Sequence, residues 1–193
     1  MKLNLLVFSL FILLWSTSCS KYGFQSSRKK KSIENVDRML TRVNEAWTAM
    51  IQSDNQKIAD INRLLLEISY TENHDEAGLR ALKDRTGELL SQRYEQYEMT
   101  SEAIDEYDNV TTALIRSVLE FAENTPELEK NALSGELKDD IIKADSEVVL
   151  YRIRYDSEAR EFNNYLNEHA RILKRLGEPY ASFRTLPLFE LPQ

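Results

Sequence analysis

Apolar residues recur at alternating steps of three and four along most of the chain, and this spacing limits the possible folds more than any other feature. The first row begins at Ile33 and continues through Val36, Leu40, Val43 and Trp47. Side chains at this spacing return to one face of an α-helix, as in the seam of a coiled coil. Only 5 glycines and 4 prolines occur in 193 residues, too few for a turn-dense sheet protein. The sequence therefore predicts an all-α fold.

The apolar rows divide into three long segments. They cover about residues 33–69, 79–123 and 137–176. Ser32 is the predicted cap of the first segment, the polar stretch 71–76 with Gly78 forms the first connection, and Thr125-Pro126 ends the second segment. Gly177 is a stop signal for the third. Similar lengths and short connections predict an elongated antiparallel bundle of three long helices, or of four if one of them is broken.

Residues 1–18 have the pattern of a signal peptide. The apolar stretch from Leu3 to Trp15 is followed by Ser16, Thr17 and Ser18, directly before Cys19. As a helix this stretch would be about 20 Å long, which is shorter than the roughly 30 Å hydrocarbon core of a bilayer. Small residues before a cysteine resemble the lipobox of bacterial lipoproteins. The resemblance implies that Cys19 becomes the acylated amino terminus, with a fatty acid such as palmitate as the membrane anchor.

Residues 19–32 are the predicted tether between the anchor and the bundle. Arg28, Lys29, Lys30 and Lys31 form a basic run in it, and each basic residue near anionic headgroups contributes about 1 kcal/mol. We therefore expect this run to contact the membrane surface, with a solvated tether as the alternative. Positive charge after an apolar stretch also favours retention in the cytoplasm. The expected location is the bacterial envelope, and the alternative is an inner-membrane anchor with a cytoplasmic domain.

The common patterns of catalytic and metal sites are missing from the sequence. One cysteine permits neither an internal disulfide nor a cysteine-rich zinc site. His74 and His169 lack the glutamate three residues earlier that a carboxylate-bridged metal site needs. A net charge of −7 disfavours binding to nucleic acid. We expect a protein that is not an enzyme, with no cofactor, no metal and no nucleic-acid partner.

Aromatic residues at helical spacing, and an apolar carboxyl tail, are the remaining signals. Tyrosines such as Tyr151 and Tyr155 are expected to fill core layers, and the alternative is a gap between helices that binds a ligand beside these two side chains. The tail at 177–193 is too apolar for a free end. It either folds into a groove of the bundle or binds a partner, in which case the contact residues would be Tyr180, Phe183, Leu188 and Phe189.

Three short motifs resemble the LemA family of bacterial membrane-anchored helical proteins. They are the segment 152–156 with Phe162-Asn163, the ending Phe183 with 186–190, and the segment 43–47 that ends in Ala-Trp. The segment 56–65 departs from the family pattern because it has neither the paired arginines nor the proline. The resemblance implies a tethered helical bundle without established catalytic activity, in a family whose members are often encoded beside other envelope proteins.

These observations together lead to one expectation and one alternative. We expect a membrane-anchored, LemA-like envelope lipoprotein that acts as a scaffold or adaptor. Its partners would be membrane lipid, through the acyl anchor, and an unidentified envelope protein. The alternative function is a helical bundle that binds a small ligand or a lipid.

Overall fold

A computed structural model of the chain describes the backbone of residues 3–189 and the side chains of residues 27–189. Its α-helices are α1 (Leu3–Ser69), α2 (Glu76–Leu89), α3 (Ser101–Glu123) and α4 (Ala132–Leu176), with short 3-10 turns at Leu90–Gln92, Pro126–Lys130 and Tyr180–Ser182. No strand occurs in the described part of the chain. The all-α prediction is confirmed, and the described residues form four α-helices where three long ones were predicted.

The second predicted segment accounts for the extra helix. A continuous helix over 79–123 is wrong, because α2 ends at Leu89 and α3 begins only at Ser101. The apolar row does not mark this break, since Leu90, Tyr94 and Tyr97 keep a helical spacing across most of it. The Thr100 hydroxyl accepts a hydrogen bond from Ala103 N and so starts a new helix. The number of helices therefore agrees with the alternative of four helices, in which one of the three predicted segments is broken.

Other helix ends also differ from the prediction. Ser32 is not a cap, because it lies inside α1 and its hydroxyl donates to the carbonyl of Arg28. The basic residues that precede Ser32 are good helix formers, so nothing in that stretch ends a helix. Gly78 lies inside α2, whose cap is Asp75. The stop after the third segment is confirmed, since α4 ends at Leu176 and Gly177 has a φ of 78°.

The chain divides into two compact units. The first unit comprises Met1–Thr41 and Glu161–Thr185, and the second comprises Arg42–Arg160 and Leu186–Gln193. The second unit has a continuous apolar core to which α1, α2, α3, α4 and the turn at Pro126–Lys130 contribute. Its fully buried members include Ile61, Leu64, Leu65, Ile68, Leu89, Val118 and Ile141.

The first unit is smaller and combines parts of α1 and α4 with residues that follow α4. Val36, Phe162 and Leu173 are buried in it. The ring of Phe162 lies 6.1 Å from that of Phe183, and the Tyr165 hydroxyl donates to the carbonyl of Ser32. Apolar side chains of both helices are therefore covered within this unit.

Within the residues that the structure describes, no helix combines the length and the apolarity that crossing a bilayer requires. The predicted signal peptide and Cys19 have no described side chains. The same holds for residues 190–193, which complete the tail.

Candidate functional site

A polar cleft in the second unit is lined by several charged side chains, among them the buried Lys57 and Arg152. Its volume is about 140 Å³. Side chains of α1, α3 and α4, together with Arg93 and Tyr94 from the connection after α2, form its walls. Three carboxylates and three cationic groups line it, namely Asp54, Asp108, Asp145, Lys57, Arg93 and Arg152.

Asp54 is the centre of the first group of charges. The Tyr107 hydroxyl donates to Asp54 Oδ2 over 2.5 Å, and Arg93 Nη2 lies 2.5 Å from the same oxygen. Lys57 Nζ lies 3.4 Å from Asp54 and 3.3 Å from Asp145. Arg93 also donates to Asn55 Oδ1. One carboxylate thus holds α1, α3 and the connection after α2 together by charged contacts.

Arg152 forms the second group of charges with Asp108. Its two terminal nitrogens each donate to one oxygen of Asp108, both over 2.6 Å, which is a bidentate pair. Arg152 Nη2 also donates to the Tyr94 hydroxyl, and the guanidinium lies 4.9 Å from the centre of the Phe189 ring. The planar guanidinium suits both contacts, and a lysine would provide neither the bidentate geometry nor the stacking.

Several polar atoms at the cleft lack hydrogen-bond partners among the described residues. They are Arg93 Nε, Arg152 Nε and Thr111 Oγ1. The residues Arg152 and Thr111 are more than nine-tenths buried, with exposed fractions of 7% and 3%. A buried donor without a partner costs about 1–3 kcal/mol, so such atoms are uncommon in folded proteins. These three atoms are buried in the protein beside the cleft and are not exposed to it.

Burial and nearby charges change the proton affinities of these groups. Burial raises the pKa of the Tyr107 hydroxyl, and the neighbouring Asp54 carboxylate raises it further. Burial likewise raises the pKa of Tyr94. For Arg152, burial is the largest single effect and lowers the pKa, but the contacts with Asp108 and Tyr94 together outweigh it and the net pKa is raised. Both tyrosines remain neutral and the arginine remains charged over the physiological pH range.

The apolar tail packs inside its units. In the second unit, Phe189 is buried and its ring lies 5.6 Å from that of Tyr155 and 6.1 Å from that of Tyr94. The Phe189 amide donates to Asp156, and the Tyr155 hydroxyl donates to the carbonyl of Pro187. Leu188 is half-buried. Of the two predicted arrangements for the tail, this packing corresponds to the groove.

The first unit contains the other two predicted partner-contact residues. Tyr180 and Phe183 are half-buried, their rings lie 5.6 Å apart, and both line a depression of about 350 Å³. The predicted membrane-contact residues Arg28, Lys29, Lys30 and Lys31 are all exposed on α1. Lys30 lies 3.8 Å from Glu34 on the same helix. Cys19 has no described side chain, so its acylation stays a prediction.

Sequence reasoning did not identify the cleft. It placed a possible ligand gap beside Tyr151 and Tyr155, whereas the tyrosines that line the cleft are Tyr94 and Tyr107. Tyr155 is fully buried under the tail. One available signal was the polar triplet Ser53-Asp54-Asn55, because Asp54 lies at helical spacing between Met50 and Ile58, where a charged side chain needs a partner. Among the described residues, no group of three or more histidine, cysteine, aspartate or glutamate side chains is arranged to hold a metal ion.

Comparison with known proteins identifies no relative. No protein-family model, no curated protein and no solved structure matches the chain. Membership of the LemA family therefore stays a hypothesis that depends on the short motifs in the sequence.

Proposed function

We propose that this protein is a membrane-anchored, LemA-like envelope lipoprotein that acts as a non-enzymatic scaffold or adaptor. The observation that carries the adaptor role is a row of exposed apolar side chains on α4. Ile142, Val149, Leu150 and Ile153 have exposed fractions between 41% and 61%. Their spacing places them on one side of the helix, and a group of large exposed apolar side chains on one helix face supports a protein-interaction site.

The proposed anchor depends on the sequence before the bundle. The apolar stretch and the small residues before Cys19 support acylation. The exposed basic run at 28–31 supports contact with anionic headgroups close to that anchor. Metabolic labelling with a fatty acid tests this part: the wild-type protein should incorporate the label, and Cys19→Ala should not. Equal incorporation by both proteins would reject the lipoprotein assignment.

The adaptor role has a separate test in membranes. A photo-crosslinking amino acid at Leu150 should trap one specific envelope protein, because this position lies in the exposed apolar row. The same probe at Asp140, which is exposed on α4 and is outside the row, serves as the matched control. A probe at Leu150 that gives only the products seen at Asp140 would count against the adaptor. Deletion of the tail is a poor test, because Phe189 is part of the packed interior of the second unit.

The cleft favours a second candidate function, which is the binding of a small ligand. Its wall carries charged and hydroxyl groups, so a polar molecule suits it better than a lipid chain. This candidate is compatible with a tethered adaptor, since a bound molecule at the cleft would contact α1, α3 and α4 together.

A further inference from the structure

We propose that the first unit binds anionic phospholipid of the membrane surface, with the headgroup at basic residues near the end of α4 and part of an acyl chain in the apolar depression beside them. Such binding rests on the membrane location proposed above, and it adds a surface on α4 to the basic run on α1. Three features of the unit support it, namely its charge, three unpaired basic side chains and the lining of the depression.

The two units differ strongly in charge. The first unit, Met1–Thr41 with Glu161–Thr185, contains 11 of the 25 basic residues and only 5 of the 32 acidic ones. Its formal charge is therefore +6, whereas that of the second unit is −13. A positive surface attracts anionic partners through its own local field, even when the whole chain carries a net charge of −7.

Three basic side chains lie together near the end of α4. Arg171, Lys174 and Arg175 are all exposed, and residues three and four positions apart are neighbours on the surface of a helix. Among the residues that the structure describes, none of the three side chains has an ion pair or a hydrogen bond. Their charges are therefore available to anionic headgroups, each of which is attracted to nearby lysine and arginine.

The depression in the first unit adjoins these side chains. Its volume is about 350 Å³, and its apolar and aromatic lining consists of Leu166, Ala170, Leu173, Tyr180, Ala181 and Phe183. Among the described residues that line it, only Lys174 carries a charge. An apolar recess with a cation in its wall suits a molecule that combines an acyl chain with an anionic headgroup.

The size of the depression is sufficient for part of an acyl chain. At roughly 30 Å³ for a group of the size of a water molecule, it has room for about a dozen such groups. A methylene group is of similar size. The rest of the lipid would stay in the bilayer, so the unit would dock on the membrane surface without extracting the lipid.

Lipid fits this surface better than other anionic partners do. The acidic second unit of another copy, or a nucleic acid, would also be attracted to the basic side chains, but neither supplies a chain for the apolar depression. Lipid is also the partner that an acyl anchor at Cys19 would bring close, because Cys19 belongs to the Met1–Thr41 part of the same unit.

The experiment uses the full-length chain with Cys19→Ser, so that its result does not depend on acylation. A fluorophore is attached at Ser182→Cys, an exposed position next to the depression, or at Ser146→Cys, an exposed position of the second unit. In both serines the hydroxyl donates to the carbonyl three residues earlier, which makes the pair a matched one. The proteins are incorporated into vesicles of phosphatidylcholine, alone or mixed with phosphatidylglycerol.

Protection from a water-soluble quencher measures docking. The fluorophore at position 182 should be quenched several-fold less in the anionic vesicles than in the neutral ones, and high salt should remove the difference. The fluorophore at position 146 should be quenched equally in both. Equal quenching at position 182 in neutral and anionic vesicles would overturn the proposal.

Neutral variants test the basic side chains. The triple variant changes three residues together: Arg171→Gln, Lys174→Gln and Arg175→Gln. The docking equilibrium constant should fall by at least about tenfold, because three attractive charges are lost. A matched control removes three exposed basic residues of the second unit and should dock like wild type: Arg80→Gln, Lys83→Gln and Arg116→Gln. Equal docking of the two triple variants would refute the assignment of the basic surface.

Ala170→Glu tests the depression. Ala170 is exposed and lines the depression, so the change adds a carboxylate there without removing a buried side chain. Protection at position 182 should be lost, whereas Ala113→Glu, at an exposed position of α3, should leave it unchanged. Unchanged protection in Ala170→Glu, with normal helical circular dichroism, would show that no acyl chain enters the depression.

Sedimentation of the full-length chain in mild detergent, without phospholipid, separates lipid from a second copy as the partner. Lipid binding predicts the same mass for wild type and for the triple variant at low salt. A larger assembly that only wild type forms would overturn the proposal in favour of contact between the basic unit of one copy and the acidic unit of another. The lipoprotein assignment is judged separately by fatty-acid labelling at Cys19, so a failure of docking and a failure of anchoring are distinguishable.

Discussion

Substitution of Asp54 by asparagine should destabilise the second unit strongly. Asp54 is about 10% exposed and contacts Lys57, Arg93 and Tyr107. The change keeps the size of the side chain and removes its negative charge. Two buried cations then lose a counterion, and the Tyr107 hydroxyl donates to a neutral acceptor.

The magnitude follows from what remains after the change. Loss of one partner of a buried ion pair costs about 3–5 kcal/mol. Here Lys57 keeps Asp145 at 3.3 Å and Arg93 keeps its bond to Asn55 at 2.9 Å, which reduces the cost. We expect the free energy of unfolding to fall by about 2–3 kcal/mol. For a chain of this size the melting temperature should fall by about 4–12 °C.

Urea unfolding followed by far-ultraviolet circular dichroism measures this change. Asp105→Asn is the matched control, because Asp105 is exposed on α3 and loses the same charge. A double-mutant cycle of Asp54→Asn with Tyr107→Phe should give a coupling of about 1 kcal/mol or more, since the two side chains share a hydrogen bond. If Asp54→Asn costs less than about 0.5 kcal/mol, like a surface substitution, the description of Asp54 as the centre of a buried charge cluster is refuted.

Three further predictions concern single positions. Gly78→Ala should cost about 1–3 kcal/mol, because its Cβ would lie 2.6 Å from the carboxylate of Asp75, which caps the helix, and 2.8 Å from the Phe121 ring. Gly87→Ala has open space around it in the same helix and should stabilise by up to about 1 kcal/mol; urea titration compares the two variants, and equal effects would contradict the clash. Phe189→Ala should cost about 3 kcal/mol in the same assay, and a neutral result would mean that the tail does not pack as described. Burial raises the pKa of Tyr155 to about 12, so the native state holds the phenol proton more tightly than the unfolded state does. The free energy of unfolding should therefore decline as pH rises from about 10 to about 12. Tyr155→Phe should lack this part of the decline, and the same pH profile in both proteins would contradict the burial of the Tyr155 hydroxyl.

The helices themselves follow from local sequence, with some errors at their ends. The apolar row from Ile33 and the stop at Gly177 predict helices that the structure contains. The break at 90–100 was harder to predict, because the apolar residues that flank it keep a helical spacing and Thr100 resembles any other polar residue. Its role as a cap depends on the backbone of Ala103, which a residue pattern alone does not specify.

The charged contacts at the cleft could not be predicted from the spacing of residues within one helix. Asp54 lies 39 positions before Arg93 and 53 before Tyr107, and each of these residues taken alone is of a type that is common on helix surfaces. Their approach depends on the break after α2, which brings Arg93 to α1, and on the packing of α3 and α4 in the same unit. No spacing rule relates residues that meet across different helices.

Periodicity and composition were sufficient to establish helical structure, because the 3.6-residue repeat acts within a single segment and few residues interrupt it. The same repeat also indicated which helix faces would be buried. The positions of the buried charges, the unpartnered donors and the tail against Tyr155 depended on the packing of separate segments. Such contacts form between residues distant in sequence, and their energies and geometries depend on how the helices pack together and not on any one helix.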